Sequence, residues 1–400
     1  MNQYQNLSKM MRLSDEGWRA AETRRLIDLS VTHGEGPYML HGDKQFINMC
    51  SCSYLGWDRH PAILEGAIKG VRTAGTLHLT TARCRLALDL LSRFEARLTD
   101  HFGVTAIAYN ACATASNACL PILACGGFSA GRKPVMVFDK FAHFSLAQSK
   151  AICGDETEVV TIENNDMEAL EKICRRSAVV AYISDATYSI EGFANISKLM
   201  ELQERYGLFV YLDDSHGLSI TGVRGCGYAL TRIRELNERT VVVASLAKAF
   251  GAAGGVLLSG HPDIKRLLIR YGNPWSQYLN SAGIGGGLAS LDLHESPELL
   301  RAQSARARNA AILDGHFPTG NAGRPTPIRV VRLGNPKSAI DAAKRLMDVG
   351  FYTSPVFFPV VPKGTAGLRI MPRADIDQET MRQFCEQLKS VCANTLLEGQ

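Results

Sequence analysis

The chain has 400 residues and a net charge of +5 at pH 7, and 46% of its residues are hydrophobic while 21% are charged. This composition predicts one large and one smaller folded domain and excludes intrinsic disorder. Lys and Arg residues are spread along the chain, which argues against nucleic-acid binding, and no apolar run reaches the length of a membrane span.

Cysteine usage and the N-terminal segment indicate the compartment. The eleven Cys residues include no CxxC pair, and the CxC of Cys50 and Cys52 is a poor metal signal, so we expect reduced thiols and no metal site. The N-terminal segment mixes basic and acidic residues and lacks the apolar core of a signal sequence. These features together predict a cytoplasmic protein.

Short β-branched runs separated by helix-like segments predict a βα alternation. The runs are residues 104–109, 134–138, 157–162, 178–183, 208–212, 240–244 and 255–258. Such uniformly apolar strands are buried on both faces, so we expect an α/β fold in which helices cover both faces of a mostly parallel, seven-stranded sheet.

The pattern changes near Leu291. A long charged helix, a strand at 327–333, a helix at 337–350, a strand at 367–371 and a final helix at about 377–397 predict a small C-terminal α+β domain. We therefore divide the chain into an N-terminal arm (1–50), a large domain (51–290) and the small domain (291–400).

Polar side chains follow several predicted strands, and ligands bind at the carboxyl edge of such sheets. These residues are His143 after the strand at 134–138, Asp185 and Ser189 after 178–183, Asp213 and His216 after 208–212, and Ser245 and Lys248 after 240–244. We expect them to lie together at one edge of the sheet.

Lys248 lies in VVVASLAKAFGAAGG (241–255), where small residues leave room for a planar cofactor. A desolvated amine is typical of a Schiff-base lysine, although a lone lysine more often extends from a strand end into solvent. Asp213 favours the first reading, because a buried carboxylate needs a cation such as a pyridinium nitrogen. For Asp214, capping of a helix is the simpler reading.

The other strand-end residues have ordinary structural alternatives. His143 is placed to lie flat on an aromatic ring, although a lone histidine is more often a satisfied core residue. His216 is placed to bind a phenolic oxygen together with Ser189, and its alternative is a turn residue. Ser245 is a candidate phosphate ligand.

Two segments of small residues have the composition of an anion-binding site. Ala113 and Thr114 in AYNACATASNACL (108–120) stand at a predicted helix start, where backbone N–H groups bind phosphate. GIGGGLAS (283–290) is not a dinucleotide loop, because no strand precedes it and no acidic residue closes a βαβ unit.

The motifs DDSHG (213–217), SLAKAFG (245–251) and GTAGLRI (364–370) resemble the α-oxoamine synthases, a family of fold-type I enzymes dependent on pyridoxal phosphate. Ordered matches extend from SYLGWDRHPAI (53–63) to VPKGTAGLRI (361–370). The resemblance implies a pyridoxal phosphate cofactor joined to Lys248, and the remaining roles are implied in the same way. Asp213 would face the pyridine nitrogen, and His143 would stack on the ring. His216 and Ser189 would contact the ring hydroxyl. The phosphate would be bound by Ser245, Ala113 and Thr114, and Asp185 belongs to the same cofactor-binding set.

The family's reaction is a decarboxylative condensation of an amino acid with an acyl thioester, carried on coenzyme A or on a carrier protein, to give an α-aminoketone. The resemblance implies that Arg369 clamps the amino acid's carboxylate by a two-pronged ion pair, with Cys52 and Tyr54 also binding substrate. Without the preceding GT signature, a surface salt bridge would be the preferred reading of Arg369. The family also implies a homodimer with its active site at the subunit interface.

Some positions depart from the family pattern. Cys52 replaces an Asn that contacts substrate, Thr114 replaces an aromatic residue, and Gln277 lies in WSQYLNS (275–281), which replaces a segment that contacts phosphate from the partner subunit. Arg72, Arg83 and Arg85 lie where a phosphopantetheine tail could bind, but solvated helix charge is the simpler interpretation.

Two alternatives stay open from the sequence. The first is another amino-acid reaction with the same cofactor and scaffold, such as a carbon–carbon lyase or a β/γ-replacement enzyme. The second is an inactive partner subunit, against which the joint presence of Lys248, Asp213 and His143 argues.

Overall fold

The structure is a computed structural model that describes residues 6–272 and 278–397. Within these residues the chain forms two compact units. The larger unit comprises residues 56–189 and 193–300, and the smaller comprises 6–55, 190–192 and 301–397. No helix in the described ranges is both long and apolar enough to cross a bilayer.

The strands and helices are short and numerous. The strands are β1 (Thr32–His33), β2 (Tyr38–His41), β3 (Lys44–Asn48), β4 (Thr105–Tyr109), β5 (Val135–Asp139), β6 (Val159–Ile162), β7 (Val180–Asp185), β8 (Phe209–Asp213), β9 (Thr240–Ser245), β10 (Gly255–Ser259), β11 (Arg329–Gly334), β12 (Phe351–Tyr352), β13 (Ser354–Val356) and β14 (Ala366–Ile370). The helices are α1 (Asn6–Thr23), α2 (Pro61–Ala74), α3 (Asp89–Phe102), α4 (Cys112–Ala124), α5 (Phe144–Ala147), α6 (Lys150–Glu156), α7 (Met167–Arg176), α8 (Ile196–Tyr206), α9 (Tyr228–Arg232), α10 (Ile264–Tyr271), α11 (Ser281–His294), α12 (Pro297–His316), α13 (Pro336–Asp348) and α14 (Gln378–Leu397).

The predicted seven-stranded sheet is confirmed, and it consists of β4 to β10. Its strand order is β4-β10-β9-β8-β7-β5-β6. The pairs among β9, β8, β7, β5 and β6 are parallel, whereas β10 runs antiparallel to both of its neighbours. The carboxyl ends of β4, β5, β7, β8 and β9 therefore meet at the same edge of the sheet, together with the amino end of β10.

Both faces of this sheet are buried, as the uniformly apolar runs predict. Successive residues of a strand enter different hydrophobic clusters: Tyr182, Val210 and Val242 pack on one face, and Ile183, Tyr211 and Val243 on the other. Burying a side chain of valine size contributes about 1.5–3 kcal/mol, so the sheet is a rigid platform for the groups at its edge.

The smaller unit has its own core and two small sheets, with strand orders β1-β2-β3-β12 and β11-β14-β13. Residues predicted as a separate N-terminal arm belong to this unit, because Leu26, Phe46 and Met49 are buried in a cluster with Leu346, Leu368 and Phe384. The boundary between the units falls between Leu300 and Arg301, later than the predicted boundary at 290.

Candidate active site

Two buried carboxylates lie side by side at the carboxyl edge of the large sheet. Asp185 ends β7, Asp213 ends β8, and the two residues are register partners. Asp185 is 1% exposed and Asp213 is 5% exposed. Burial, followed by the charge of Asp213, raises the pKa of Asp185 well above its usual range. The pair therefore favours a cation at this edge of the sheet.

Both carboxylates are oriented by hydrogen bonds. Asp185 Oδ1 accepts from the backbone N–H of His143 at 2.8 Å. Asp213 Oδ1 accepts from the backbone N–H of Ser215 at 2.9 Å, and Asp213 Oδ2 accepts from the thiol of Cys112 at 3.6 Å. These bonds prevent the carboxylates from rotating.

Lys248 lies in the turn after β9, with its Nζ 3.0 Å from Nε2 of the buried His216. Burial raises the pKa of Asp185 and of Cys112, and the positive charge of Lys248 opposes both shifts, so the amine interacts electrostatically with both groups. The turn closes with a hydrogen bond from Gly251 N to Lys248 O at 3.0 Å. Gly251 has a φ of +79°, and a Cβ there would lie 2.5 Å from Trp57 Cβ, so only glycine fits.

His143 is the N-cap of α5 and is exposed. Its Nδ1 accepts from the backbone N–H of Ser145 at 3.2 Å and lies 2.8 Å from Ser145 Oγ. The alternative of a satisfied core histidine is therefore wrong. An exposed imidazole oriented by these hydrogen bonds can stack on an aromatic ring.

The first turn of α4 lies at the same edge of the sheet. Ala111 precedes the helix without a side-chain cap, and Ala113 and Thr114 lie in the first turn, so the N–H groups there have no side-chain acceptor from the cap. Thr114 Oγ1 donates to Asn110 Oδ1 at 2.6 Å. Backbone N–H groups of this kind are suited to a phosphate.

The two serines of the predicted cofactor set differ in their surroundings. Ser245 ends β9, and its Oγ accepts from Ala247 N at 3.2 Å. Because Ser245 is the register partner of Gly255, which also pairs with Tyr109 before α4, it lies near the helix start. Ser189 is half-buried and is the last residue of the range 56–189 of the larger unit.

The residues at this edge fit pyridoxal phosphate. The cofactor needs an amine for its aldehyde, a carboxylate for its ring nitrogen, an aromatic face and donors for its phosphate. Lys248, Asp213, His143 and the start of α4 supply groups of these kinds. His216 and Ser245 add polar groups next to them.

Asp139 is a buried residue of this edge that the sequence analysis missed. It ends β5, is 1% exposed and accepts hydrogen bonds from the hydroxyls of Tyr182 at 2.7 Å and Tyr188 at 2.9 Å. It also accepts from Phe141 N at 2.7 Å, which fixes the turn leading to His143. Its position directly after the run at 134–138 was the available signal.

Arg369 is on β14 in the smaller unit. Its Nε and Nη2 are buried and have no hydrogen-bond partner among the described residues, so the salt-bridge interpretation is wrong. Burial raises the pKa of Cys50 to about 12 and that of Tyr54 well above its usual range. The positive charge of Arg369 opposes both shifts. Cys52 raises both values, so it belongs to the same cluster. Arg369 is thus equipped to bind an anion.

The three arginines assigned to solvated helix charge differ from one another. Arg72 and Arg85 are exposed, as expected. For Arg83 the interpretation is wrong, because its side chain is 9% exposed and its Nη2 lies 2.7 Å from both carboxylate oxygens of Glu95. Gln277, where the sequence departs from the family pattern, lies outside the described residues.

Known proteins of one enzyme family are similar to this chain. The model of the family Aminotransferase class I and II matches residues 44–388. An 8-amino-7-oxononanoate synthase of Mycobacterium bovis is 30% identical over 83% of this chain and 84% of its own length, and one of Maricaulis maris is 29% identical over 87% of each chain. This chain is an α-oxoamine synthase of the aminotransferase class I and II family.

Solved structures show the same fold for this α-oxoamine synthase. A serine palmitoyltransferase of Sphingomonas wittichii superposes with a TM-score of 0.84 at 19% identity, covering 98% of this chain and 99% of that one. A structure of SPT with PLP gives a TM-score of 0.85 with the same coverage. The predicted family, fold-type I architecture, pyridoxal phosphate cofactor and acyltransferase class are confirmed.

Proposed function

We propose that this α-oxoamine synthase condenses an α-amino acid with an acyl thioester, carried by coenzyme A or by a carrier protein, with loss of carbon dioxide to give an α-aminoketone. One observation carries the proposal: the Lys248 amine lies 3.0 Å from His216 and beside two buried carboxylates in register. An amine in this position can hold a carbonyl and then move a proton. The names of the relatives, a synthase and a palmitoyltransferase, support acyl transfer.

Bound pyridoxal phosphate supplies a protonated ring that takes up the electron pair released at the substrate's α carbon. Asp213 would face the ring nitrogen. Lys248 Nζ would hold the cofactor's carbonyl carbon and, as a free amine, would accept the proton from the substrate's α carbon. His143 would pack on the ring and keep water from its face.

The remaining polar groups position the cofactor. The N–H groups of Ala113 and Thr114 and the hydroxyl of Ser245 would bind its phosphate. His216 and Ser189 would donate hydrogen bonds to the ring oxygen. Asp185 holds the backbone of His143 through its 2.8 Å hydrogen bond and keeps that residue in place.

Arg369 binds the carboxylate of the amino acid. Its unpartnered Nε and Nη2 atoms present the planar, two-pronged donor that a carboxylate accepts. Cys52 and Tyr54 lie in the same cluster and contact this substrate. Because a thiol is a weak donor, Cys52 leaves Arg369 as the main polar contact for the carboxylate.

We also propose a homodimer in a reducing, cytoplasmic compartment. All eleven cysteines are free thiols, which is typical of cytoplasmic proteins. Leu64 and Ile68 on α2 and Leu77 and Leu86 after it are exposed, and apolar side chains of this size are often covered by a second subunit. Light scattering from the purified protein at the mass of one chain would contradict the dimer.

Two measurements test the function. We expect the purified protein to bind pyridoxal phosphate with an absorption band in the visible region, and Lys248→Ala to lose that band while Lys133→Ala, at an exposed ion pair with Glu156, keeps it. We further expect acyl-coenzyme A to release free thiol only when an α-amino acid is present. Thiol release from no combination of acyl thioester and amino acid would contradict the condensation, and absence of the band would contradict the cofactor site.

A further inference from the structure

A chain of three hydrogen bonds ends on one oxygen of Asp213. The backbone N–H of Ser245 donates to Ser215 Oγ at 2.8 Å. Ser215 Oγ donates to Cys112 Sγ at 3.6 Å, and Cys112 Sγ donates to Asp213 Oδ2 at 3.6 Å. The chain thus joins the end of β9 to the carboxylate at the end of β8 through the first residue of α4.

The direction of this chain is fixed at its start. A backbone N–H can only donate, so the Ser215 oxygen accepts from Ser245 and its hydroxyl hydrogen is left for Cys112. The sulfur of Cys112 then accepts that hydrogen, and its own hydrogen is directed to Asp213. Every donor in the chain therefore points towards the carboxylate.

Cys112 stays a neutral thiol in this position. It is 9% exposed, and burial, followed by the negative charge of Asp213, raises its pKa well above the usual range. A thiolate would place a second negative charge 3.6 Å from Asp213 Oδ2, so the protonated form is strongly favoured. Only the protonated form donates a hydrogen bond.

The backbone holds Cys112 where the thiol reaches Asp213. A Cβ on Gly255 would lie 2.4 Å from Cys112 N and 2.5 Å from Ala111 C, so the start of α4 can approach β10 only because residue 255 is glycine. The contact between Cys112 and Asp213 therefore depends on backbone packing rather than on a flexible side chain.

We propose that Cys112 is a positioning residue that holds the Asp213 carboxylate in one orientation, ready for the protonated ring nitrogen of the cofactor. This inference rests on the proposed function, because it concerns the same carboxylate. Ser215 N donates to Oδ1 of Asp213 and Cys112 donates to Oδ2, so each carboxylate oxygen has a hydrogen-bond donor from the protein itself. Hydrogen bonding to the charged form of a carboxylate favours that form.

The charged and titratable groups around Asp213 come from several elements. They are Asp185 on β7, Tyr211 and Asp214 on either side along the chain, Cys112 on α4 and Lys248 after β9. Asp185 and Asp214 oppose a charge on Asp213, and Lys248 supports it. Without the thiol donor, Asp213 Oδ2 loses the hydrogen bond that fixes the orientation of the carboxylate among these groups.

The test measures cofactor affinity rather than turnover. The apo protein is titrated with pyridoxal phosphate at neutral pH, and the dissociation constant is read from the absorption spectrum. For Cys112→Ala we expect an affinity about tenfold weaker than wild type, because a hydrogen bond to a charged group is lost.

Matched variants separate this role from a general loss of packing. Cys112→Ser restores an O–H donor and should recover most of the affinity, and Ser215→Ala should weaken binding in the same direction as Cys112→Ala. Cys119→Ala, at a fully buried cysteine of the same helix, should leave the affinity unchanged.

Three results would overturn the inference. They are equal affinity of Cys112→Ala and wild type, equal affinity of Ser215→Ala and wild type, and a failure of Cys112→Ser to recover binding although circular dichroism shows that it is folded. If wild type itself does not bind the cofactor, the proposed function fails instead.

Discussion

Arg369 has two buried nitrogen atoms, Nε and Nη2, that lack an acceptor among the described residues. An unsatisfied buried donor costs about 1–3 kcal/mol, so a bound carboxylate would recover free energy that the protein alone does not. The planar fork of arginine can meet both oxygens of a carboxylate at once, which lysine cannot do.

Arg369→Lys should therefore weaken substrate binding more than it slows chemistry. We expect the KM for the amino acid to rise about 10–100-fold, the equivalent of one or two charged hydrogen bonds, with a smaller change in kcat and an unchanged cofactor spectrum. Steady-state assays of thiol release measure both constants. Arg332→Lys is the control, because Arg332 is exposed on β11 and pairs with Glu191. An unchanged KM in Arg369→Lys would exclude it as the carboxylate ligand.

Individual residues could be predicted where a strand end or a motif identified them. Lys248, His216 and Asp213 are found at one sheet edge, because parallel strands bring their carboxyl ends together. Cys112 could not be assigned its contact, since its partner Asp213 is 101 positions away and only the close approach of α4 to β10 joins them. Asp139 was missed for a similar reason, because it accepts from tyrosines on other segments.

At the scale of elements, α2 and α11 pack closely through glycines. A Cβ on Gly70 would lie 2.3 Å from Ser281 O, and a Cβ on Gly285 would lie 2.2 Å from Gly66 O. These positions explain the glycine-rich run 283–290, which is the body of α11 rather than a ligand loop. Glycine is tolerated inside both helices because any side chain there would separate their backbones.

Gly285→Ala should destabilise the protein although alanine favours helix. Overpacking a tight contact costs about 1–3 kcal/mol, which exceeds the gain of up to about 1 kcal/mol in helix propensity. Gly286→Ala is the matched control, because its Cβ would meet Ile63 at an ordinary 3.5 Å. Urea unfolding should show a loss for the first and no loss for the second. Equal stabilities of the two variants would contradict the close contact.

The elements of the large sheet were predictable, whereas their order was not. Seven β-branched runs correspond to β4 to β10, because strands buried on both faces need a continuous apolar sequence. The order β4-β10-β9-β8-β7-β5-β6 and the antiparallel direction of β10 depend on long-range pairing that local sequence does not carry. Strands β1, β2, β3, β12 and β13 were missed, because runs of two to five residues with mixed burial show no clear period.

At the scale of the whole molecule, each unit is stabilised by a core of its own. The sequence predicts a small C-terminal domain, but it does not show that Ala21, Leu26 and Phe46 complete that domain's core. The N-terminal segment resembles a separate arm in the sequence, because the residues that it packs against lie about three hundred positions later in the chain. The division of the chain therefore needed the three-dimensional contacts.

The stability of the larger unit should depend on pH through two buried histidines. His101 and His294 are 6% and 3% exposed, and their ring centroids are 5.7 Å apart. Burial, with the charge of Arg224 next in order, lowers the pKa of His101 to about 4. Burial also lowers the pKa of His294 to about 3, although its hydrogen bond to Ser290 O opposes the shift. Both rings are therefore neutral in the folded protein at moderately acidic pH.

Acid should destabilise the protein between about pH 6.5 and about pH 4, where the unfolded state binds protons at these histidines and the folded state does not. Above this window both states are neutral and the stability is fully present. At about pH 5 the expected loss is about 2 kcal/mol for each histidine relative to about pH 7.5. Urea unfolding at the two pH values measures the loss. The loss of stability between the two pH values should be smaller in His101→Asn than in wild type. In His78→Asn, which replaces an exposed histidine of the same unit, the loss should equal that of wild type. An equal loss in His101→Asn and wild type would show that His101 takes up its proton alike in both states.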